Sequence, residues 1–236
     1  MNPMASTAEP SAQPLPAALS RLRLTHTHHA DAFEDGHGAP DLWYVSADIW
    51  NRESGATVEH VASFEFARVE PFETDDLLGV LDGHSASLSA MARAVIDPAT
   101  DDLRDDLDKF TEPIEPALLF LTRAQVQPFW QKHGLGPVLA ARAIRTLRPG
   151  CRGIAYHPAS FTASPDDPDD EEGQPVAITA RLKAWERIGF RHYRNGVFVL
   201  NLGTTALDDF LKAASNQPAN APQVREAHYP SGRGTT

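Results

Sequence analysis

The stretch VQPFWQKHGLGPVLAARAIRTL, Val126 to Leu147, decides how this chain is read. Its second half repeats apolar residues every four positions, at Leu135, Leu139, Ala143 and Leu147 with Val138 beside them, the pattern of a helix with one buried face. Pro149 and Gly150 end that helix. Immediately before it, Gln131, Lys132, His133, Gly134, Leu135 and Gly136 spell Q-x-x-G-x-G. The free N–H groups of a helix's first turn point outward and its dipole favours negative charge, so a glycine-lined entry forms an anion cradle. Glycine admits a phosphate to the backbone with no side chain in the way, and Lys132 and His133 add positive charge. Neither G-x-x-x-x-G-K-[ST] nor G-x-G-x-x-G is present, so the loop is of neither common nucleotide type.

Working outward, ALLFLTRAQV, Ala117 to Val126, reads as a strand leading into the loop, and Gly153 to His157 as a buried strand after the helix. Ile178, Leu182, Trp185 and Ile188 mark a second helix stopped by Gly189, and Gly196 to Leu202 closes as a strand. This alternation predicts an α/β unit. Upstream, Trp43 to Trp50 and Val58 to Val69 alternate with period two around the turn-like NRESGAT, predicting an antiparallel pair, with Arg21 to His26 as a shorter strand before them. Two or three helices are expected from Thr74 to Phe110, where Leu77, Leu78 and Leu81 share one face and Leu88, Met91, Ala92 and Val95 another. Residues 1–20 and 215–236 are poor in apolar residues and are expected to be a disordered leader and tail.

The loop resembles the acyl-CoA segment of the GNAT N-acetyltransferase superfamily, V-x-P-x-x-[QR]-x-x-G-x-[GA], at Val126, Pro128, Gln131, Gly134 and Gly136. A second segment, ARLKAWERIGFRHYRNGVFVLNL from Ala180 to Leu202, is similar to that family's second signature at Trp185, Glu186, Gly189 and Phe190. The resemblance implies an α/β (α+β) fold with a mixed sheet, helices on both faces and a splayed central strand. It makes residues 21–214 one domain, with 117–202 as the acetyl-CoA half and 21–116 as the acceptor side.

The same resemblance implies a reaction. Acetyl-CoA is held by Gln125 and Val126 at the strand's end, by Gln131, Lys132, His133, Gly134, Leu135 and Gly136 at the loop, and beside Trp185. A primary amine, on a small molecule or a peptide, attacks the acetyl carbonyl directly, and a base takes its proton. The strand itself carries Thr122 and Arg123 but no carboxylate, so His157 is the expected base, with Glu112, Glu115 and His84 behind it. Trp185 stands where relatives place a tyrosine acid, and an indole N–H cannot supply a proton near neutrality. A CoA-binding module without turnover, or an α/β interaction protein that binds no CoA, therefore stays open, as does a homodimer.

Composition narrows the remaining classes. The formal charge is -11, and six of those charges lie in SPDDPDDEEG at Asp166, Asp167, Asp169, Asp170, Glu171 and Glu172. Without them the body carries -5, which offers a nucleic-acid backbone no basic footprint. The run reads as a solvated insertion. No apolar stretch approaches the roughly 20 residues of a membrane span, and no secretory leader is visible, so a cytoplasmic location is expected. The single cysteine, Cys151, has no intramolecular disulfide partner and is expected to pack. His26, His28, His29 and His37 with Asp31 and Asp35 match no defined metal spacing and read as a solvated loop. Trp43, Tyr44 and Trp50 read as core aromatics of their strands.

Overall fold

The computed structural model describes residues 21–29, 39–73, 76–111, 115–131, 133–158 and 182–216. The acidic run, Lys132, Glu112 and the expected leader lie outside them, as does nearly all of the expected tail. The strands are β1 (Leu22–His28), β2 (Asp41–Trp50), β3 (Thr57–Val69), β4 (Ala117–Val126), β5 (Cys151–Tyr156), β6 (Arg191–His192) and β7 (Phe198–Asn201). The helices are α1 (Leu77–Asp82), α2 (Ala86–Val95), α3 (Asp105–Thr111), α4 (Pro128–Gln131), α5 (Leu135–Leu147), α6 (residues 182–188) and α7 (Ala206–Asn216).

The strands form one mixed sheet in the order β1-β2-β3-β4-β5-β7-β6. Every neighbouring pair is antiparallel except β4 and β5. A parallel pair cannot be joined by a hairpin, and α5 supplies the crossover. The apolar run ALLFL in β4 has no polar face because both sides are covered. Leu118 and Phe120 pack under α1, α2 and α3 with Leu77, Leu88, Met91 and Leu107. Leu119 and Leu121 pack on the opposite face with Leu139 and Ile144 of α5, Trp185 and Ile188 of α6, and Leu207 and Leu211 of α7. The chain is thus a mixed α/β protein with helices on both faces of the sheet. No helix among the described residues is long and apolar enough to cross a membrane.

Local chemistry fixes the helix ends. The Ser85 hydroxyl accepts from the Leu88 N–H to start α2, and the Asp76 carboxylate accepts from Gly79 to start α1. Arg152, on β5 and only 2% exposed, locks α3 to the sheet. Its Nη2 pairs with the Asp108 carboxylate at 2.7 Å and its Nε donates to the Thr111 hydroxyl at 3.0 Å.

Several expectations need correction. β1 extends to His28, so His26 and His28 stand in a strand rather than a loop, and the His28 ring stacks on Trp43 at 4.6 Å. Tyr44 is exposed rather than core. β5 begins at Cys151 and ends at Tyr156, which leaves His157 just past the strand. The short β6 and helices α4 and α7 were not anticipated. Cys151 is buried, as expected, and burial raises its thiol to about 11.

Two predictions test this packing. Arg152→Leu strips α3 of its anchor, and because Asp108 stays half in solvent the expected loss is on the order of 2 kcal/mol, read from a urea denaturation midpoint. An unchanged midpoint contradicts the anchoring role. His26 is half-buried on β1, and burial lowers its pKa below 6.5, partly opposed by a hydrogen bond with the Ala143 backbone. The unfolded chain therefore takes up this proton first, so the contribution is complete above pH 6.5 and is lost as pH falls through the lower folded value. His26→Gln should flatten the acid limb of a melting temperature against pH curve, and a limb as steep as that of the parent excludes His26 as its source.

Candidate functional site

The site begins with a fault in the sheet. β4 pairs with β3 as far as Val126 but with β5 only from Ala117 to Leu121. Glu65 of β3 faces Arg123 and the next residue, Phe66, faces Leu121, so Thr122 is an extra residue on β4. Such a bulge bends the strand and steepens its twist. The Thr122 hydroxyl donates to the Glu65 carbonyl oxygen at 3.1 Å and pins it. Beyond this point β4 parts from β5, which itself stops at Tyr156 opposite Leu121. Among the described residues no strand pairs with residues 122–126 on the β5 side.

The loop that follows β4 carries the expected glycines, and they do different work. Gly134 has φ of 64° and ψ of 21°, the left-handed region, at the N-terminal cap of α5. Gly134 is exposed, and a Cβ placed on it meets nothing within 4 Å among the described residues. Its own N–H is spent on the Gln131 carbonyl at 3.1 Å. The N–H groups of Leu135 and Gly136 have no backbone partner among the described residues, no side chain caps the helix, and Pro137 has no N–H. The residue four before Gly136, Lys132, lies outside the described residues, and among those described these two amides stand at the positive end of α5. Gly136 serves packing, because a Cβ there would lie 3.2 Å from Val126 Cγ2.

Neighbouring side chains brace this turn. The Gln131 amide donates to the Val126 carbonyl at 2.8 Å and ties the loop to the end of β4. Trp130 is buried and its indole N–H donates to Glu59 at 2.8 Å. His133 packs edge-on against Phe129 and Trp130, and its Nε2 is buried without a hydrogen-bond partner among the described residues. Leu135 is half-buried against the main core.

The remaining expected residues are distributed around the parting strands. His157 follows β5 at the end where β4 departs, and its Nε2 lies so close to the turn before β7 that a Cβ on Gly196 would come within 2.8 Å. Trp185 is 2% exposed and packs in an aromatic cluster, its ring centroid 4.6 Å from that of Tyr156 and 5.3 Å from that of Phe190. Gln125 lies on β4 opposite Ser63. Glu115 precedes β4 at the opposite end of the strand, and His84 lies in the turn between α1 and α2.

Sequence reasoning missed a carboxylate at this place. Glu65 is 57 residues from Thr122 in sequence, yet its backbone accepts the Thr122 hydroxyl and its carboxylate pairs with Arg123 at 3.3 Å. Only the pairing of β3 with β4 reveals it. Among the described residues no group of three His, Cys, Asp or Glu side chains is arranged to hold a metal ion.

No family model, no curated protein and no solved structure matches this chain.

The two glycines make opposite predictions. Gly134→Ala has room for its methyl group and should cost only the left-handed backbone penalty, about 1–2 kcal/mol. Gly136→Val must push β4 and α5 apart and should cost about 1–3 kcal/mol while shifting the Val126 methyl resonances, which the Gly134 variant leaves in place. Equal perturbation of Val126 by both variants would contradict this division.

Proposed function

We propose that this chain is an acetyl-CoA-dependent N-acetyltransferase of the GNAT type, acting on a primary amine. The observation that carries the reading is the coincidence of two features at one end of the sheet. β4 parts from its parallel neighbour at Thr122, and the exposed, glycine-capped N-terminus of α5 follows directly from that same strand. Ligands of α/β sheets bind beyond the carboxyl ends of parallel strands, and β4 and β5 present theirs here.

Acetyl-CoA supplies an activated acyl group, and this chain supplies what holds and deprotonates. The Leu135 and Gly136 N–H groups suit a diphosphate, and the open surface at Gly134 allows its approach. Residues 122–126 of β4 offer backbone groups on the β5 side to an amide-containing chain. As the amine nitrogen bonds to the acyl carbon and the carbon–sulfur bond breaks, His157 takes the amine proton. Glu65, ion-paired with Arg123 on the neighbouring strand, supplies negative charge at the same end of β4. The buried indole of Trp185 provides no proton for the departing thiolate. With a thiol pKa near 8.5, leaving unprotonated at pH 7 costs about 2 kcal/mol, which slows transfer without preventing it.

A second reading is a CoA-binding module of the same fold without turnover. The burial of Trp185, at the place where the signature expects an acid, favours it.

Thermal denaturation with acetyl-CoA tests both readings, since ligand at a hundred times its Kd adds about 2.7 kcal/mol of stability. The melting temperature should rise, Gly134→Glu should abolish the rise by setting a carboxylate against the phosphates, and His157→Ala should keep it. Thiol release with an amine panel then separates the two. Turnover that falls about a hundredfold in His157→Ala supports the enzyme, turnover absent from the parent supports the module, and no thermal shift at saturating ligand defeats both.

A further inference from the structure

A second constellation lies on the adjoining strands, and its acid, base and hydroxyl have no part in the proposed transferase. Asp48 of β2 and His60 of β3 are cross-strand partners, with 2.7 Å between Asp48 Oδ1 and His60 Nδ1. His60 Nε2 lies 2.8 Å from the Ser63 hydroxyl oxygen. A carboxylate only accepts, so the imidazole Nδ1 carries the hydrogen that Asp48 receives, and in the neutral ring Nε2 is left as an acceptor. The Ser63 O–H therefore donates to His60. Asp48 is 8% exposed, whereas the His60 side chain keeps 38% of its surface, so the orienting acid is buried and the base is reachable.

This arrangement exists because of a second bulge. In a regular strand His60 and Ser63, three positions apart, would point to opposite faces. The register steps from Ala47–Ala62 to Asp48–His60, which makes Val61 an extra residue on β3. Val61 and Ala62 consequently both turn into the core, and His60 and Ser63 emerge on the same face.

A fourth group completes the set. Ser63 is paired across the sheet with Gln125 of β4, which puts their side chains on one face with Cβ atoms about 5 Å apart. Arg123 Nη2 donates to Gln125 Oε1 at 3.3 Å. With the oxygen committed, the Nε2 hydrogens of Gln125 are the donors it offers beside Ser63.

We propose that Asp48, His60, Ser63 and Gln125 form a serine acyl-transfer site for small carboxylic esters, whose chemistry uses no CoA. Base, nucleophile and orienting acid have the roles and contacts of a Ser-His-Asp triad, which is recognised by geometry and not by chain position. Ser63 Oγ bonds to the ester carbonyl carbon as its proton passes to His60 Nε2. Gln125 Nε2 donates to the developing oxyanion. The bond to the leaving alkoxide breaks as that oxygen takes the proton from His60, leaving Ser63 acylated. Water, deprotonated by His60, attacks the acyl carbon, the bond to Oγ breaks, and Oγ recovers the proton. The balance is ester plus water to acid plus alcohol.

The test uses the full chain, a fluorophosphonate probe near neutral pH and peptide mass spectrometry to locate the label. The expected result is modification at Ser63, lost in Ser63→Ala and slowed about a hundredfold in His60→Ala. Hydrolysis of p-nitrophenyl acetate should fall in Gln125→Ala while the labelled position stays Ser63. An unlabelled Ser63 in the parent protein overturns the proposal. So does labelling as fast in His60→Ala as in the parent, because a purely structural hydrogen-bond chain would leave Ser63 no more reactive than a surface serine. The parent result needs no variant to fold and no acetyl-CoA to bind.

Discussion

One residue too many on β4 shapes the end of the sheet where both proposed sites lie. At Thr122 the strand carries an extra residue against β3, and the Thr122 hydroxyl holds that misfit in place through the Glu65 carbonyl. The extra residue bends the strand and steepens its twist. β4 keeps β3 and gives up β5. The glycine turn before α5 and His157 after β5 both lie at the end of the sheet where β4 departs.

The bulge at Val61 does for side chains what the one at Thr122 does for the backbone. It breaks the alternation of β3 so that two polar residues meet on one face, while Val61 and Ala62 both feed the core. The two irregularities lie on adjoining strands toward the same end of the sheet. The opposite end of β4 is tightly bound, with Leu118 under the first three helices and Arg152 of the paired strand fastened to α3. Burial on both faces near Phe120 supplies the rigidity that lets the other end depart from ideal geometry.

The parts of the fold legible in the sequence were those set by regular periodicity. β4 and α5 have the expected bounds, because an apolar run of five residues opening a ten-residue strand and a four-residue apolar repeat are both regular patterns. α7 escaped notice although Leu207, Phe210 and Leu211 carry a helical spacing, since the polar residues between them resemble the start of the tail. The glycine turn before α5 was visible as Q-x-x-G-x-G, but not the division of labour in it. Gly134 and Gly136 look equivalent in sequence, and only the proximity of Val126 shows that one is there for packing. Glu65, and the meeting of His60 with Ser63, were illegible for a deeper reason. Both depend on bulges, and a period-two argument assumes that none exist.

Arg123 joins these features physically. One of its terminal nitrogens donates to Glu65 and the other to Gln125, so a single guanidinium positions a carboxylate beside the parting strands and an amide beside Ser63. The side chain is 47% exposed, which makes each contact weak in isolation, and its value lies in geometry more than in Coulomb energy. Because both contacts come from one planar group, neither partner can draw the guanidinium away without disturbing the other. The two proposed sites, though chemically unrelated, therefore share a support, and it sits one residue beyond the bulge that created the end of the sheet they occupy.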